Sequence, residues 1–203
     1  MHIEFLIEEA SAEIVLNEII PRIMGDNTTF KIHDFRGKSN LIKNLLNRMK
    51  GYSNIIKHQE DLRIVILIDK DSQNCQELKQ KLEEIAIESG LTIPSTSNNF
   101  QVLNRIVVEE LEAWFFGDIN ALREAYPKVP ESLTKRRSYR IPDEIKGGTW
   151  EALERILSTA GYYEKGFMPK TEVARNIAPF MNPELNSSKS FQVFRDGLKL
   201  FLD

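Results

Sequence analysis

Cysteine is almost absent from this chain: Cys75 is the only one in 203 residues. A lone thiol permits neither an internal disulfide nor a thiolate metal cage, and it suits a reducing compartment. An excess of positive charge is missing too. The 27 basic and 30 acidic residues leave a net charge of −3, so no overall field attracts nucleic acid, and any such contact needs a local patch. No apolar run approaches the ~20 residues that span a bilayer. The first residues carry Glu4, Glu8 and Glu9, where a secretory leader has basic residues and an apolar core. These absences lead us to expect a soluble, cytoplasmic protein with no membrane partner. H-E-x-x-H, Walker A and G-x-S-x-G patterns are also lacking, which argues against a zinc protease, an autonomous P-loop ATPase and an α/β-hydrolase.

What is present reads as an ordinary globular chain, 41% hydrophobic and 28% charged. Its length suits one large domain or a domain with an appended subdomain. His2–Ile7 reads as a strand, and a helix over Ala12–Met24 follows, with Ser11 as its N-cap. A second strand is expected over Thr28–Phe35 and a basic helix from about Asn40 to Lys50. Arg63–Ile68 is a continuous β-branched and apolar run, the pattern of a strand buried on both faces. A long helix over Ser72–Ser89 ends at Gly90. Gln101–Val108 reads as a fourth strand and Glu109–Phe116 as a helix. This βαβαβαβ order predicts an α/β fold with a mainly parallel sheet and helices on both faces. Beyond Gly117 the chain is rich in Pro and Gly until helical patterns resume at Thr149–Ala160, Lys170–Phe180 and Ser190–Leu202. We therefore divide it into a core, 1–117, and a loop-rich, helical C-terminal cap, 118–203.

The acidic residues fall where strands end. Glu8 and Glu9 follow the first strand and Asp69 and Asp71 the third. Glu109, Glu110 and Glu112 follow the fourth, with Glu109 and Glu112 on one helical face. In an open parallel sheet, side chains beyond the carboxyl ends line the ligand crevice. Carboxylates gathered there repel one another, and a divalent cation reconciles them. Each group alone has a plainer reading. D-x-D also caps helices, Glu-Glu pairs sit on solvated surfaces, and Glu109 to Glu112 suits a helix N-terminus. Their joint placement after three strands points to a Mg²⁺ (or Mn²⁺) site that handles phosphodiesters. Its candidate ligands are Glu8, Glu9, Asp69, Asp71, Glu109 and Glu112.

Lys135, Arg136 and Arg137, with Tyr139 and Arg140, form the best candidate nucleic-acid patch, where cations grip phosphates and an aromatic stacks a base. A solvated loop is the plainer alternative. Lys38, Lys43, Arg48 and Lys50 extend the patch if they share a face. Trp114-Phe115-Phe116 reads as core or subunit interface, and Trp150, Phe191 and Phe194 as packing for the cap. His2, His33 and His58 look idle.

A Glu closing the first strand and a D-x-D after the third resemble the signature of Toprim domains, found in topoisomerases, primases and overcoming-lysogenization-defect nucleases. Leu67-Ile-Asp-Lys-Asp71 matches the aspartate motif. Ile7-Glu8-Glu9-Ala10-Ser11 stands where such nucleases have Glu followed by Gly, so Glu9 departs from the pattern. Over nearly its whole length the chain also looks like domain of unknown function family 4276. The matching stretches are Phe5-Leu-Ile-Glu-Glu9, Glu109-Glu-Leu-Glu-Ala-Trp-Phe-Phe-Gly-Asp118, Gly147-Gly-Thr-Trp-Glu-Ala-Leu-Glu154 and Ser190-Phe-Gln-Val-Phe-Arg-Asp-Gly197.

The resemblance implies a Toprim-like core with a four-stranded sheet, nuclease activity, and a role in phage defence beside a partner ATPase. It also implies roles. Glu8, Asp69 and Asp71 would ligate Mg²⁺, and Glu109 or Glu112 would complete that shell or hold a second ion. Lys170, Arg175 or Arg195 would neutralise charge on the phosphate. A receiver domain fits poorly, because it wants an Asp pair after the first strand and a single acceptor Asp after the third. A non-catalytic adaptor, binding a partner ATPase or nucleic acid through the same pocket and cap, fits the same residues.

Overall fold

The computed structural model describes residues 1–70, 73–108 and 110–202. Strands β1 (His2–Ile7), β2 (Thr29–Asp34), β3 (Leu62–Asp69) and β4 (Val102–Val107) form one sheet in the order β2-β1-β3-β4. All three pairings are parallel, with Ile7 opposite both Asp34 and Leu67, and Asp69 opposite Val107. The expected four-stranded parallel sheet is therefore present. From β1 the chain moves out to β2, then crosses back to β3 on the other side of β1. The strand order thus reverses between β1 and β3, and a doubly wound sheet takes ligands beyond the carboxyl ends at such a reversal.

Helices α1 (Ala10–Met24), α2 (Lys38–Ile56) and α3 (Cys75–Glu88) connect the strands. They cover opposite faces, which is why β3 is apolar on both. Val65 and Leu67 join Val15, Leu16 and Ile19 of α1 in one core. Ile64, Ile66 and Ile68 join Leu41, Leu45 and Met49 of α2 and Leu78 and Leu82 of α3 in the other. Strand alternation then directs Asp69 to the α1 face.

The C-terminal helices pack on that same face. They are α4 (Glu112–Gly117), α5 (Ile119–Ala125), α6 (Thr149–Thr159), α7 (Lys170–Ile177) and α8 (Lys189–Lys199). Trp114, Phe115 and Phe116 are all buried. The Trp114 ring lies 5.1 Å from the rings of both Phe191 and Phe194, and its indole N–H donates to Ser190 Oγ at 3.1 Å. The aromatic triplet is core, as its sequence suggested.

Several boundaries differ from expectation for local reasons. Ser11 does not cap α1. Glu9 occupies the N-cap position without a capping bond, and the Ser11 hydroxyl donates to the Glu9 carboxylate. Helix α2 continues past Lys50 because Tyr52 and Ile56 extend its buried stripe and Gly51 lies in open space. Helix α3 starts at Cys75, capped by Asn74, whose Oδ1 accepts from Gln76 N at 2.9 Å. Asp71 and Ser72, the expected starts, lie outside the described residues. The stretch expected to be loop holds α5, capped by Asp118 through a 3.1 Å bond from Ala121 N. It also holds short 3₁₀ turns at Glu131–Lys135, Arg137–Tyr139 and Pro142–Glu144. No described helix is long and apolar enough to cross a membrane.

Candidate functional site

Four of the predicted acids gather beyond the carboxyl ends of β1, β3 and β4. Glu8 directly follows β1, and its Oε1 accepts from the Asp69 backbone N–H at 3.2 Å. The Glu8 carbonyl accepts from Gly37 N at 2.6 Å, which ties the same turn to the start of α2. Glu9 precedes α1. Asp69 ends β3, half-buried on the α1 face. Glu112 opens α4 and is 1% exposed.

Lys170, the first residue of α7, reaches into this group. Its Nζ lies 3.6 Å from Glu9 Oε2 and 3.9 Å from Glu112 Oε1, and 5.3 Å from the centre of the Trp150 ring. The cap thus supplies an ammonium that bridges two carboxylates from different elements. Glu110 has another task. Its Oε2 accepts from Thr149 Oγ1 at 3.1 Å and from Trp150 N at 2.8 Å, holding the N-terminus of α6.

The electrostatics follow from this crowding. Burial, then the charges of Glu8, Glu9 and Glu112, hold the Asp69 carboxyl well above the usual carboxylate range, against the pull of Lys170. Burial pushes Glu112 up to about 7, opposed by Lys170 and a backbone hydrogen bond and reinforced by Glu9 and Glu110. For Lys170, burial alone would lower the value, but Glu112, Glu9, Glu110 and Asp69 carry it above that of a free lysine. Glu112 Oε2 is buried and has no hydrogen-bond partner among the described residues. An orphaned carboxylate oxygen in such a place is costly unless something binds it.

The model of a domain of unknown function, DUF4276, matches residues 7–199. The chain belongs to this family. Among solved structures this DUF4276 protein is similar to the C-terminal region of the Xanthomonas campestris pv. campestris OLD protein. The two are 13% identical with a TM-score of 0.47, over 98% of this chain and 96% of that one. No curated protein sequence matches it.

Of the acids read from the DUF4276 sequence, the structure brings together Glu8, Glu9, Asp69 and Glu112. Asp71 and Glu109 lie outside the described residues. Lys170 lies at two of these carboxylates, Glu9 and Glu112. Arg195 is engaged elsewhere, with Pro183 O at 2.9 Å and Asp196 at 2.7 Å, and Arg175 is exposed on α7.

Lys135, Arg136, Arg137 and Arg140 are exposed on the 3₁₀ turns. Lys135 and Arg140 line a cavity of ≈ 420 Å³ with Arg123 and Tyr139. The Tyr139 ring, expected to stack a base, is half-buried and stacks on Phe116 at 5.6 Å. The lysines and arginine of α2 do not share one face. Arg48 donates to His33 Nδ1 at 2.9 Å and Lys50 meets Glu88 at 3.4 Å, whereas Lys38 and Lys43 line a different cleft.

His33 is not idle either. It bonds the half-buried Glu4, which also accepts from Tyr52 OH at 3.2 Å. Burial and Glu4 push the Tyr52 phenol above the usual range. The sequence held one trace of this cluster: Glu4 is a charged residue set between the apolar Ile3 and Phe5 of its strand.

A divalent cation suits the donor set in chemical kind. The groups are hard carboxylate oxygens, mutually repelling, and Glu112 Oε2 lacks a hydrogen-bond partner among the described residues. Among the described residues no three acidic, cysteine or histidine side chains already form a metal cage. Mg²⁺ keeps several waters and takes one or two carboxylates plus substrate phosphate, so it does not need such a cage.

Proposed function

We propose that this chain is a Mg²⁺-dependent nuclease that hydrolyses phosphodiesters at the carboxyl edge of its sheet. The observation that carries the reading is Glu112: a carboxyl buried beside Asp69, raised to about 7, with one oxygen lacking any partner among the described residues. Asp69 and Glu112 would hold the ion, supported by Glu8 and Glu9. When bound, Mg²⁺ supplies charge neutralisation at the phosphate and acidifies a water for attack. Glu8 orients the Asp69 peptide through its bond to the N–H. Lys170, which pairs with Glu9 and Glu112, places a positive charge where the phosphate's developing charge needs one. The sequence carries no Walker A motif, so an ATP-driven step would have to come from outside these residues.

Lys170 also motivates a second reading. An ammonium already balances the acids, as it would in an adaptor that binds a partner without catalysis.

The test is calorimetric titration with Mg²⁺ and Mn²⁺ on wild type and on Asp69→Asn, beside an oligonucleotide hydrolysis assay. Asp69 is held above its usual range, so a neutral amide there relieves repulsion and the variant is expected to fold. Metal binding and hydrolysis in wild type, both lost in the variant, would support the nuclease. A folded wild type that binds no metal into the millimolar range and cuts nothing would favour the adaptor.

A further inference from the structure

A second cleft opens on the opposite side of the sheet edge, between the N-terminal ends of α2 and α3. It has a volume of ≈ 740 Å³ and is lined by Lys38, Lys43 and Lys81, with Glu77 as the acid among its lining residues. Lys43 and Lys81 are exposed. Among the described residues neither makes an ion pair or a side-chain hydrogen bond.

Their neighbours on the same two helices behave differently. Arg48 is engaged with His33, Lys50 with Glu88 at 3.4 Å and Lys79 with Glu83 at 3.6 Å. Lys43 and Lys81, which carry no such pairing among the described residues, both face the cleft. Like charges gathered around a concave surface cost repulsion and create a focused positive field. Such a field sits oddly on a chain of net charge −3 unless a polyanion enters it.

Position adds to the argument. Lys38 Nζ donates to the backbone carbonyls of Asp69 at 2.5 Å and Lys70 at 3.2 Å. The rim of the basic cleft therefore reaches the backbone of Asp69 and Lys70, and the Asp69 carboxyl lies in the acidic crevice. Beside the cations, Ser39, Gln73 and Asn74 offer neutral donors, and Ile42 and Leu78 give an apolar floor. Phosphate contacts of this kind position a nucleic acid without reading its sequence.

We propose that this cleft grips the phosphodiester backbone of a nucleic-acid strand and leads it past Asp69 to the acidic crevice. The path runs along α2 and α3 instead of the 135–140 turns. It rests on the nuclease reading for what happens at its far end, but not for the grip itself.

The test separates the two. Affinity for a short fluorescein-labelled single-stranded DNA is measured by anisotropy against salt concentration, in EDTA so that no cleavage occurs. The full chain is compared with Lys43→Gln/Lys81→Gln and with Lys135→Gln/Arg136→Gln/Arg137→Gln. Each phosphate neutralised on a single strand contributes about 0.7 to the slope of log K against log salt, so the cleft variant should lose about 1.4 from that slope. The loop variant should keep it. An unchanged slope in the cleft variant would overturn the proposal, as would a slope lost only in the loop variant or a wild type that does not bind DNA at low salt. If the slope falls as expected while Asp69→Asn leaves hydrolysis untouched, the grip stands and the catalytic reading fails.

Discussion

Glu112→Gln is expected to stabilise the metal-free protein above pH 7 and to change little at pH 5. Burial is the main reason the Glu112 carboxyl rises from 4.5 to about 7. An acid raised on folding gives stability that is complete below its unfolded pKa and is lost as pH climbs through its folded one. The window is therefore pH 4.5 to 7, and the gap at about 1.4 kcal/mol per pH unit amounts to about 3 kcal/mol. Glutamine has the same shape and does not ionise, so it escapes that loss. Asp69 titrates in both proteins, so the difference between them reports mainly on Glu112. Urea denaturation in EDTA at intervals from pH 5 to pH 8.5 measures it. The variant's advantage should grow from under about 1 kcal/mol at pH 5 to about 3 kcal/mol at the top of the series. Two stability curves that run parallel over this range would refute the reasoning, because no proton would then be released from Glu112 on unfolding or folding.

Lys170→Met removes the ammonium from Glu9 and Glu112. Partial exposure of the lysine limits the cost to about 1–2 kcal/mol at pH 8, and the cost should shrink at pH 5, where Glu112 is protonated. Thermal melts at both pH values check this. Gly117→Ala places a Cβ 2.0 Å from Asn186 Oδ1 and 2.8 Å from Ser188 N. Asn186 cannot retreat without losing its bonds to Trp114 O at 2.8 Å and from Ser188 N at 3.0 Å, so urea titration should show a loss of about 2–3 kcal/mol. Gly51→Ala, in open space within α2, should instead gain about 0.5–1 kcal/mol in the same assay.

The sheet was legible because β3 is apolar on both faces and acids follow the strands without a break. That pattern located Glu8 and Asp69, since strand parity and strand ends are local properties of the sequence. Helix α5 was hidden by the prolines that follow it, although Asp118 carried the cap signal. Helix α2 runs past the expected end at Lys50, and only the packing of Tyr52 and Ile56 shows that it does. In the site, Glu110 and Glu112 are two residues apart and chemically alike. Which one caps α6 and which one is buried beside Lys170 depends on where the cap lies, and that contact spans far too much sequence for spacing to reveal. The same holds for Lys81, which meets Lys43 at one cleft only after the sheet has brought α2 and α3 side by side.

Asp69 stands in both layers of the molecule. Its carboxyl faces the α1 side among the acids, while its carbonyl holds the Lys38 ammonium from the α2 side. The layer of α2 and α3 rests on the smaller of the two cores, whereas the acids lie against the larger one. The smaller core has fewer buried groups to resist local opening. A pull on the start of α2 therefore acts on one peptide unit whose side chain sits in the opposite compartment. That one peptide couples the two layers, so whatever engages the start of α2 is one residue's backbone away from the acids.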